Sequence, residues 1–305
     1  MSGGLGLVRP VEGAERASVR LALGMIGLAE IATWPLGHRR FLRLCRYASE
    51  ILDAHESIVV RLAPGARIRV DLDDPYWLRL VARRFRYEPE VEHVLRRLAD
   101  VRFSFVDCGA NIGYWSVLAS SPEFGAHAVT AIEASGRLCE RLRENSDLNG
   151  SRFGVVHAAV AEAGGRRAWL ETGDSHAAAS IHGVRGTVTS REEVRTVALD
   201  DLELEDPVVI KLDVEGAEIE AMHGAGGLLA RGALLVYEDH GRDTTCRHTR
   251  AALDLGLAVY SISLRGRIER VHDVDAVRRA KHKKNRGYNL LALRPDSPFT
   301  PRLEA

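Results

Sequence analysis

The run Val106-Asp107-Cys108-Gly109-Ala110-Asn111-Ile112-Gly113 sets an acid ahead of two glycines, between an apolar run and a helical pattern. Glycine at 109 and 113 permits a tight turn and close backbone approach to a ligand. A dinucleotide turn would read G-x-G-x-x-G. Here the pattern is Asp-x-Gly-x-Asn-x-Gly, and Asn111 stands where a dinucleotide enzyme needs glycine. A carboxylate at this turn repels a pyrophosphate. It suits a cation, an ammonium or a sulfonium, held directly or through water by a charge-assisted contact. The next apolar run, Val129–Ile132, ends in Glu133, 24 residues after Gly109. An acid there is placed to accept both hydroxyls of a ribose. The ligand so outlined has a cationic amino-acid-like end, a ribose and no pyrophosphate. S-adenosylmethionine matches that outline.

Two further clusters follow. Ile210-Lys211-Leu212-Asp213-Val214-Glu215-Gly216-Ala217-Glu218 brings three carboxylates within six residues, with Lys211 as a candidate partner. Crowded acids need such compensation. Leu235-Val236-Tyr237-Glu238-Asp239-His240 is an apolar run that ends in two acids and a histidine. For an alcohol acceptor, Asp213 and His240 are the candidate general bases. The bland alternatives are a helix cap for Asp213 and an ordinary strand-end histidine for His240. No metal is assigned. If a divalent metal were present, Asp213, Glu238 and Asp239 would be its ligands, with His240 beside them. His176 and His182 read as exposed loop histidines, and Trp115 as core.

These residues need elements to position them. Short apolar runs at Phe103–Asp107, Ala128–Ile132, Val155–Val160, Val208–Val214, Ala233–Tyr237, Val259–Leu264 and Leu290–Leu293 give seven candidate strands. Helical patterns at Ile112–Ser120, Arg137–Leu148, Glu215–Leu229 and Thr245–Leu255 alternate with them. That alternation predicts an α/β fold, a mostly parallel sheet with helices on both faces. Gly164–Leu199 interrupts it and reads as an insertion with a hairpin, Arg167–Glu171 against Arg195–Leu199. Ahead of the sheet, Val19–Trp34 and Phe41–Leu52 have helical spacing. Residues 57–72 alternate around Pro64-Gly65 as a hairpin, and a helix is expected over Glu90–Leu98 behind Pro89.

The 305 residues are 46% apolar and 28% charged, enough to bury a core. Lysine and arginine number 42, as do aspartate and glutamate. This balance argues against a dedicated nucleic-acid binder. The charge is nonetheless patterned. Residues 200–220 hold nine acids and one base, whereas residues 265–286 hold nine bases and three acids. The basic run reads as a solvated helix face or as a site for an acidic substrate. The cysteines Cys45, Cys108, Cys139 and Cys246 form no C-x-x-C pair, so neither a disulfide framework nor structural zinc is expected. The longest apolar stretch, Leu21–Leu36, contains Glu30 and is too short for a membrane helix. Glu12 and Glu15 spoil a secretory n-region, so a cytoplasmic protein is expected.

The turn VDCGANIGYWS, the run IKLDVEGAEIEAMHGA and the segment Tyr87-Glu88-Pro89-Glu90 resemble the FkbM family of S-adenosylmethionine-dependent methyltransferases, over about residues 58–294. The resemblance implies a seven-stranded, mostly parallel Rossmann-like class I methyltransferase sheet with one antiparallel strand near its C-terminal end. An N-terminal helical and hairpin cap over residues 1–98 would precede a catalytic domain over residues 99–305. It implies cofactor contacts at Glu88, Asp107, Gly109, Asn111, Gly113 and Glu133, with an adenine pocket near Ala159 and Val160. The implied activity is transfer of a methyl group to a hydroxyl of a sugar or other small natural product. A non-catalytic cofactor-binding module and a nucleic-acid acceptor are the alternatives. No membrane partner is expected.

Overall fold

The computed structural model describes residues 8–14, 16–33, 56–173, 179–183, 187–284 and 286–304. The helical stretch Phe41–Leu52, Cys45 and His176 lie outside them. The chain divides into two compact units, Met1–Tyr87 and Glu88–Ala305. The expected helix behind Pro89 is therefore part of the second.

In the first unit, β1 (Val11–Glu12), β2 (Ser57–Ala63) and β3 (Ala66–Asp71) form an antiparallel sheet. The β2–β3 hairpin turns at Pro64-Gly65, and Gly65 takes the left-handed conformation its turn requires. Alternation turns Ile58, Val60, Ile68 and Val70 inward. Helix α1 (Ala17–Thr33) buries Val19, Ala22, Leu23 and Ile26, one helical stripe, and leaves Leu21, Met25 and Leu28 exposed.

The second unit opens with α2 (Pro89–Arg97), β4 (Ser104–Cys108), α3 (Tyr114–Ala119), β5 (Ala128–Glu133), α4 (Gly136–Leu148) and β6 (Phe153–His157). After β7 (Ala159–Val160) the insertion supplies β8 (Arg167–Gly173), β9 (Ala179–Ser180) and β10 (Val188–Val197). There follow β11 (Val208–Leu212), α5 (Glu218–His223), α6 (Gly226–Ala230), β12 (Leu234–His240), α7 (Arg247–Asp254), β13 (Ala258–Ile262), β14 (Ile268–Val271), α8 (Val274–Ala280), β15 (Gly287–Leu293) and α9 (Thr300–Glu304).

The main sheet has eight strands in the order β14-β13-β15-β12-β11-β4-β5-β6. From β6 to β12 the pairings are parallel, and β15 runs antiparallel to both neighbours. The strand beyond the seven expected is β14. It sits on the sheet edge with Glu269 and Arg270 exposed, so it lacks the apolar run by which buried strands are read. Two other expectations are corrected. Val155–Val160 is split, because β7 leaves the main sheet and pairs with β10 in the insertion. The helix expected over Glu215–Leu229 is broken into α5 and α6 at Gly224. A side chain at Gly224 would stand 2.3 Å from the Ala161 carbonyl oxygen.

The period of two sorts the central strands into an apolar and a polar face. Val106, Cys108, Ile210, Leu212, Leu235 and Tyr237 enter one buried cluster. On the other face the register sets Lys211 beside Asp107 and Val236, and Glu238 beside Asn289. Chain order reverses between β4 and β11, the topological switch point at which open α/β sheets form a crevice. The turns after both strands pack there. Asp213 N–H donates to the Cys108 carbonyl at 3.0 Å, and a Cβ on Gly109 would lie 1.9 Å from the Asp213 carbonyl oxygen.

The basic run is paired with acids in part, while Arg265, Arg270, Lys283 and Lys284 are exposed. Lys281 pairs with Asp239 and Arg286 with Glu90, while Arg278 pairs with Asp275 and Arg267 with Glu269.

Two glycines separate the cost of conformation from that of space. Gly109 and Gly150 share a φ near +75°, but nothing lies within 4 Å of a Cβ on Gly150. Gly150→Ala should cost about 1 kcal/mol. Gly109→Ala adds a steric penalty and should cost about 4 kcal/mol or prevent folding. Denaturant midpoints of the two variants check this.

Candidate active site

At the crevice the polar face holds one ammonium among several carboxylates. Lys211, 3% exposed, lies 3.1 Å from Asp213 and 3.6 Å from Glu88. Burial opposes its charge, yet Asp213, Glu88 and Asp107 together hold its pKa above the ordinary value. Burial likewise raises Glu88 and Asp107, against the lowering pull of Lys211. Glu238 on the same face is pushed up to about 8, first by burial, then by Asp213 and Glu88. Glu215 is pushed up to about 7, by burial and then by Asp213 and Glu218. The site therefore has more acid than its one lysine can balance. It answers the excess partly by keeping carboxyls protonated.

Each acid is held. Asp107 Oδ2 accepts from the Ser116 hydroxyl at 2.6 Å and from its N–H at 3.0 Å, one turn into α3. Glu88 accepts from the Trp115 indole at 2.6 Å. Trp115 is thus core, as expected, and also a donor to the site. Glu133 closes the turn from the other side. One oxygen accepts from Asn111 N–H at 2.8 Å and the other from Ser135 N–H at 2.9 Å. Burial raises its pKa and those N–H groups draw it back.

Glu88, Asn111 and Glu215 have positive φ without being glycine, at 40°, 53° and 47°. Such strain gathers at functional sites. The two glycines of the turn have a plainer cause. Asp213 excludes a side chain at 109, and Leu142 Cδ1 would lie 2.6 Å from a Cβ on Gly113. Ala159 and Val160 are buried at the foot of the insertion, where Ala158 N–H donates to the Glu133 carbonyl.

The acids named for a metal do not converge. Adjacent strand residues point to opposite faces, so Glu238 faces the Lys211 cluster while Asp239 turns toward α7. Asp239 is fully buried there, paired with Lys281 and accepting from the Thr249 hydroxyl at 2.6 Å. No group of three metal-ligating side chains occurs among the described residues. His240 lies beyond the cluster. Its Nδ1 accepts from Arg242 N–H at 3.1 Å, and burial, Arg242 and Lys281 lower its pKa. Neutral His240 therefore carries its proton on Nε2 and presents a donor.

A strand-end bond joins this face to the helices. His248 Nδ1 lies 2.8 Å from the Glu238 carbonyl, and its Nε2 lies 3.3 Å from Glu218. In the insertion, His182 Nε2 lies 3.4 Å from Glu220 on α5. Sequence reading named neither Asn289, the cross-strand neighbour of Glu238, nor His248. The alternation of β12 and β15 would have placed Asn289.

The family description of the methyltransferase FkbM domain matches residues 107–261. A precorrin-6y C5,15-methyltransferase from Geobacter metallireducens GS-15 is similar in structure at 16% identity and a TM-score of 0.41, over 70% of this chain and 92% of that one. A methyltransferase FkbM from Methylobacillus flagellatus KT is similar at 21% identity and a TM-score of 0.40, over 67% of this chain and 50% of that one. No curated protein matches the chain. No helix among the described residues is long and apolar enough to cross a membrane.

The acid excess makes stability depend on pH. Folded Glu238 keeps its proton to about pH 8, whereas an ordinary glutamate loses it near 4.5. Between those values the folded chain binds more protons than the unfolded, so stability falls as pH rises. Glu238→Gln should flatten that slope and stabilise the protein at pH 8, read from denaturant titrations across the window. Lys211→Met leaves the acids without a counter-charge. It should cost about 3–5 kcal/mol at pH 8 and less at pH 5, where the carboxyls protonate.

Proposed function

This chain belongs to the methyltransferase FkbM domain family, and from that premise we propose that it is an S-adenosylmethionine-dependent O-methyltransferase with a small hydroxylated acceptor. The observation that bears the reading is the acid excess around Lys211. Glu88, Asp107, Asp213 and Glu238 face a single ammonium. A donor set with surplus negative charge suits a ligand that brings a sulfonium and an ammonium, and repels phosphates.

The residues fit such a cofactor. Each carboxylate oxygen has two lone pairs. Glu133, although both its oxygens accept from backbone N–H groups, retains capacity for a ribose diol. Asp107, with Glu88 beyond it, would face the amino-acid end. The turn Gly109–Gly113 would lie against the ligand, and Ala159 and Val160 would border its adenine. When bound, the cofactor supplies an electrophilic methyl group. The protein's own task is to align an acceptor oxygen and take its proton.

Asp213 is the proton acceptor in this reading. Its side chain is 30% exposed at the crevice, against 3% for Lys211, which orients it. Neutral His240 would donate a hydrogen bond rather than accept a proton, so it positions the acceptor. No step is assigned to a metal, because Asp239 and Glu238 lie on opposite faces of β12. Against a nucleic-acid acceptor, the crevice itself carries surplus carboxylates, which repel phosphates.

Calorimetric titration with S-adenosylhomocysteine, with NAD⁺ as control, tests the cofactor. The expected result is binding of the first alone, weakened about tenfold or more in Glu133→Ala. Equal binding of NAD⁺, or no binding of S-adenosylhomocysteine to folded protein, would overturn the reading. With an acceptor found by screening hydroxylated compounds, Asp213→Asn should retain cofactor affinity and lose about a hundredfold or more in kcat.

A further inference from the structure

Three buried side-chain nitrogens have no hydrogen-bond partner among the described residues: Arg79 Nε, His127 Nε2 and Arg152 Nε. His127 is readily neutral, since burial lowers its pKa. Arg152 donates through Nη2 to Asn149 at 3.1 Å. Arg79 shares the permanent charge of Arg152 but lies against aromatic rings. It lies in the first unit, on the 3-10 turn Leu78–Val81, and is 8% exposed among Leu78, Leu80 and Val81.

Aromatic rings surround it. The guanidinium carbon lies 3.7 Å from the ring centroid of Tyr76, 5.0 Å from that of Phe85 and 5.4 Å from that of Tyr87. Rings attract the faces of a guanidinium, but its N–H groups point outward in its plane and need acceptors. Among the described residues no carboxylate pairs with it. Asp74, five residues ahead, accepts from Tyr76 and Trp77 N–H through Oδ1 at 2.8 and 3.2 Å and forms no ion pair with Arg79. A buried N–H without an acceptor is costly, and Arg79 Nε is such a group. Around it Tyr76 and Tyr87 are half-buried, with hydroxyls 3.3 Å apart, and Arg83, Arg84 and Arg86 are exposed. The segment Arg79–Tyr87 carries four arginines and no acid, between Asp74 and Glu88.

We propose that Arg79, within the cage of Tyr76, Phe85 and Tyr87, is a binding site for an oxyanion, the carboxylate or phosphate group of a small molecule. The planar fork meets either group with two parallel N–H donors. The rings hold the fork in place and keep water from its faces. The site goes beyond the proposed methyl transfer and does not depend on it.

The test titrates the full chain with sodium phosphate and with sodium acetate, at ionic strength held constant with sodium chloride, by calorimetry and thermal shift. Saturable binding of one oxyanion, with a rise in Tm, is expected. Phosphate ahead of acetate identifies a phosphorylated ligand, and the reverse identifies a carboxylate. Arg79→Lys keeps the charge but loses the fork and should weaken binding about tenfold. Arg79→Met should abolish it with an unchanged circular dichroism spectrum. Arg84→Gln, on the exposed rim, should change affinity less than about threefold. The proposal is overturned if folded wild type responds to neither anion beyond sodium chloride, or if Arg79→Lys binds as well as wild type. Should Arg79→Met not fold, the wild-type and Arg79→Lys titrations decide the matter.

Discussion

The buried ammonium of Lys211 is the interaction on which the second unit's polar face depends. It stands on β11 between β4 and β12, and it meets acids from four places in the chain: ahead of α2, on β4, after β11 and on β12. An apolar residue at 211 could fill the space, but the acids would then face one another in a medium that screens poorly. With Glu238 protonated, one ammonium still faces Glu88, Asp107 and Asp213, so the face stays electronegative. That residue of charge is a property of the whole arrangement and of no single acid.

Of the six non-glycine residues with positive φ among the described residues, three stand on this face. Glu88, Asn111 and Glu215 take left-handed conformations that cost of order 1 kcal/mol each or more. They stand at the three turns that bring acids to the crevice. Glu88 lies just ahead of α2, and its turn presents the carboxylate to the Trp115 indole. The Asn111 turn aims a backbone N–H at Glu133. Packing elsewhere holds these turns: α4 lies over Gly113, and the five parallel strands fix where each turn starts.

Much of this was legible in the residues. Apolar runs placed the buried strands, and the spacing of Asp107, Gly109, Asn111 and Glu133 placed the two turns that meet through a hydrogen bond. Lys211 stood out as the only base in an acidic run. What escaped has physical reasons. The edge strand β14 is half polar and looks like loop. The Glu238-Asp239 pair reads as one cluster in sequence, yet the pleat sends the two side chains to opposite faces. Lys281 sits in a run that reads as solvated, and only the fold brings it under α7 to Asp239. Glycines 109 and 113 read as a tight turn open to a ligand, and the residues alone do not show that Asp213 and Leu142 also crowd them from the protein side. Local periodicity shows which way a side chain points, but not what the fold sets opposite it.

Gly109 against the Asp213 carbonyl has a consequence for how such a site could diversify. The turn that would face a cofactor and the turn that bears the proposed base share a contact with no room for a single methyl group. They are in effect one rigid part, so neither can be reshaped alone for a new acceptor. Variation in acceptor choice must then come from pieces that touch this part without being locked into it. The insertion between β7 and β10, which meets α5 through His182 and Glu220, is such a piece. A lineage, or an engineer, could exchange it while leaving the chemistry in register.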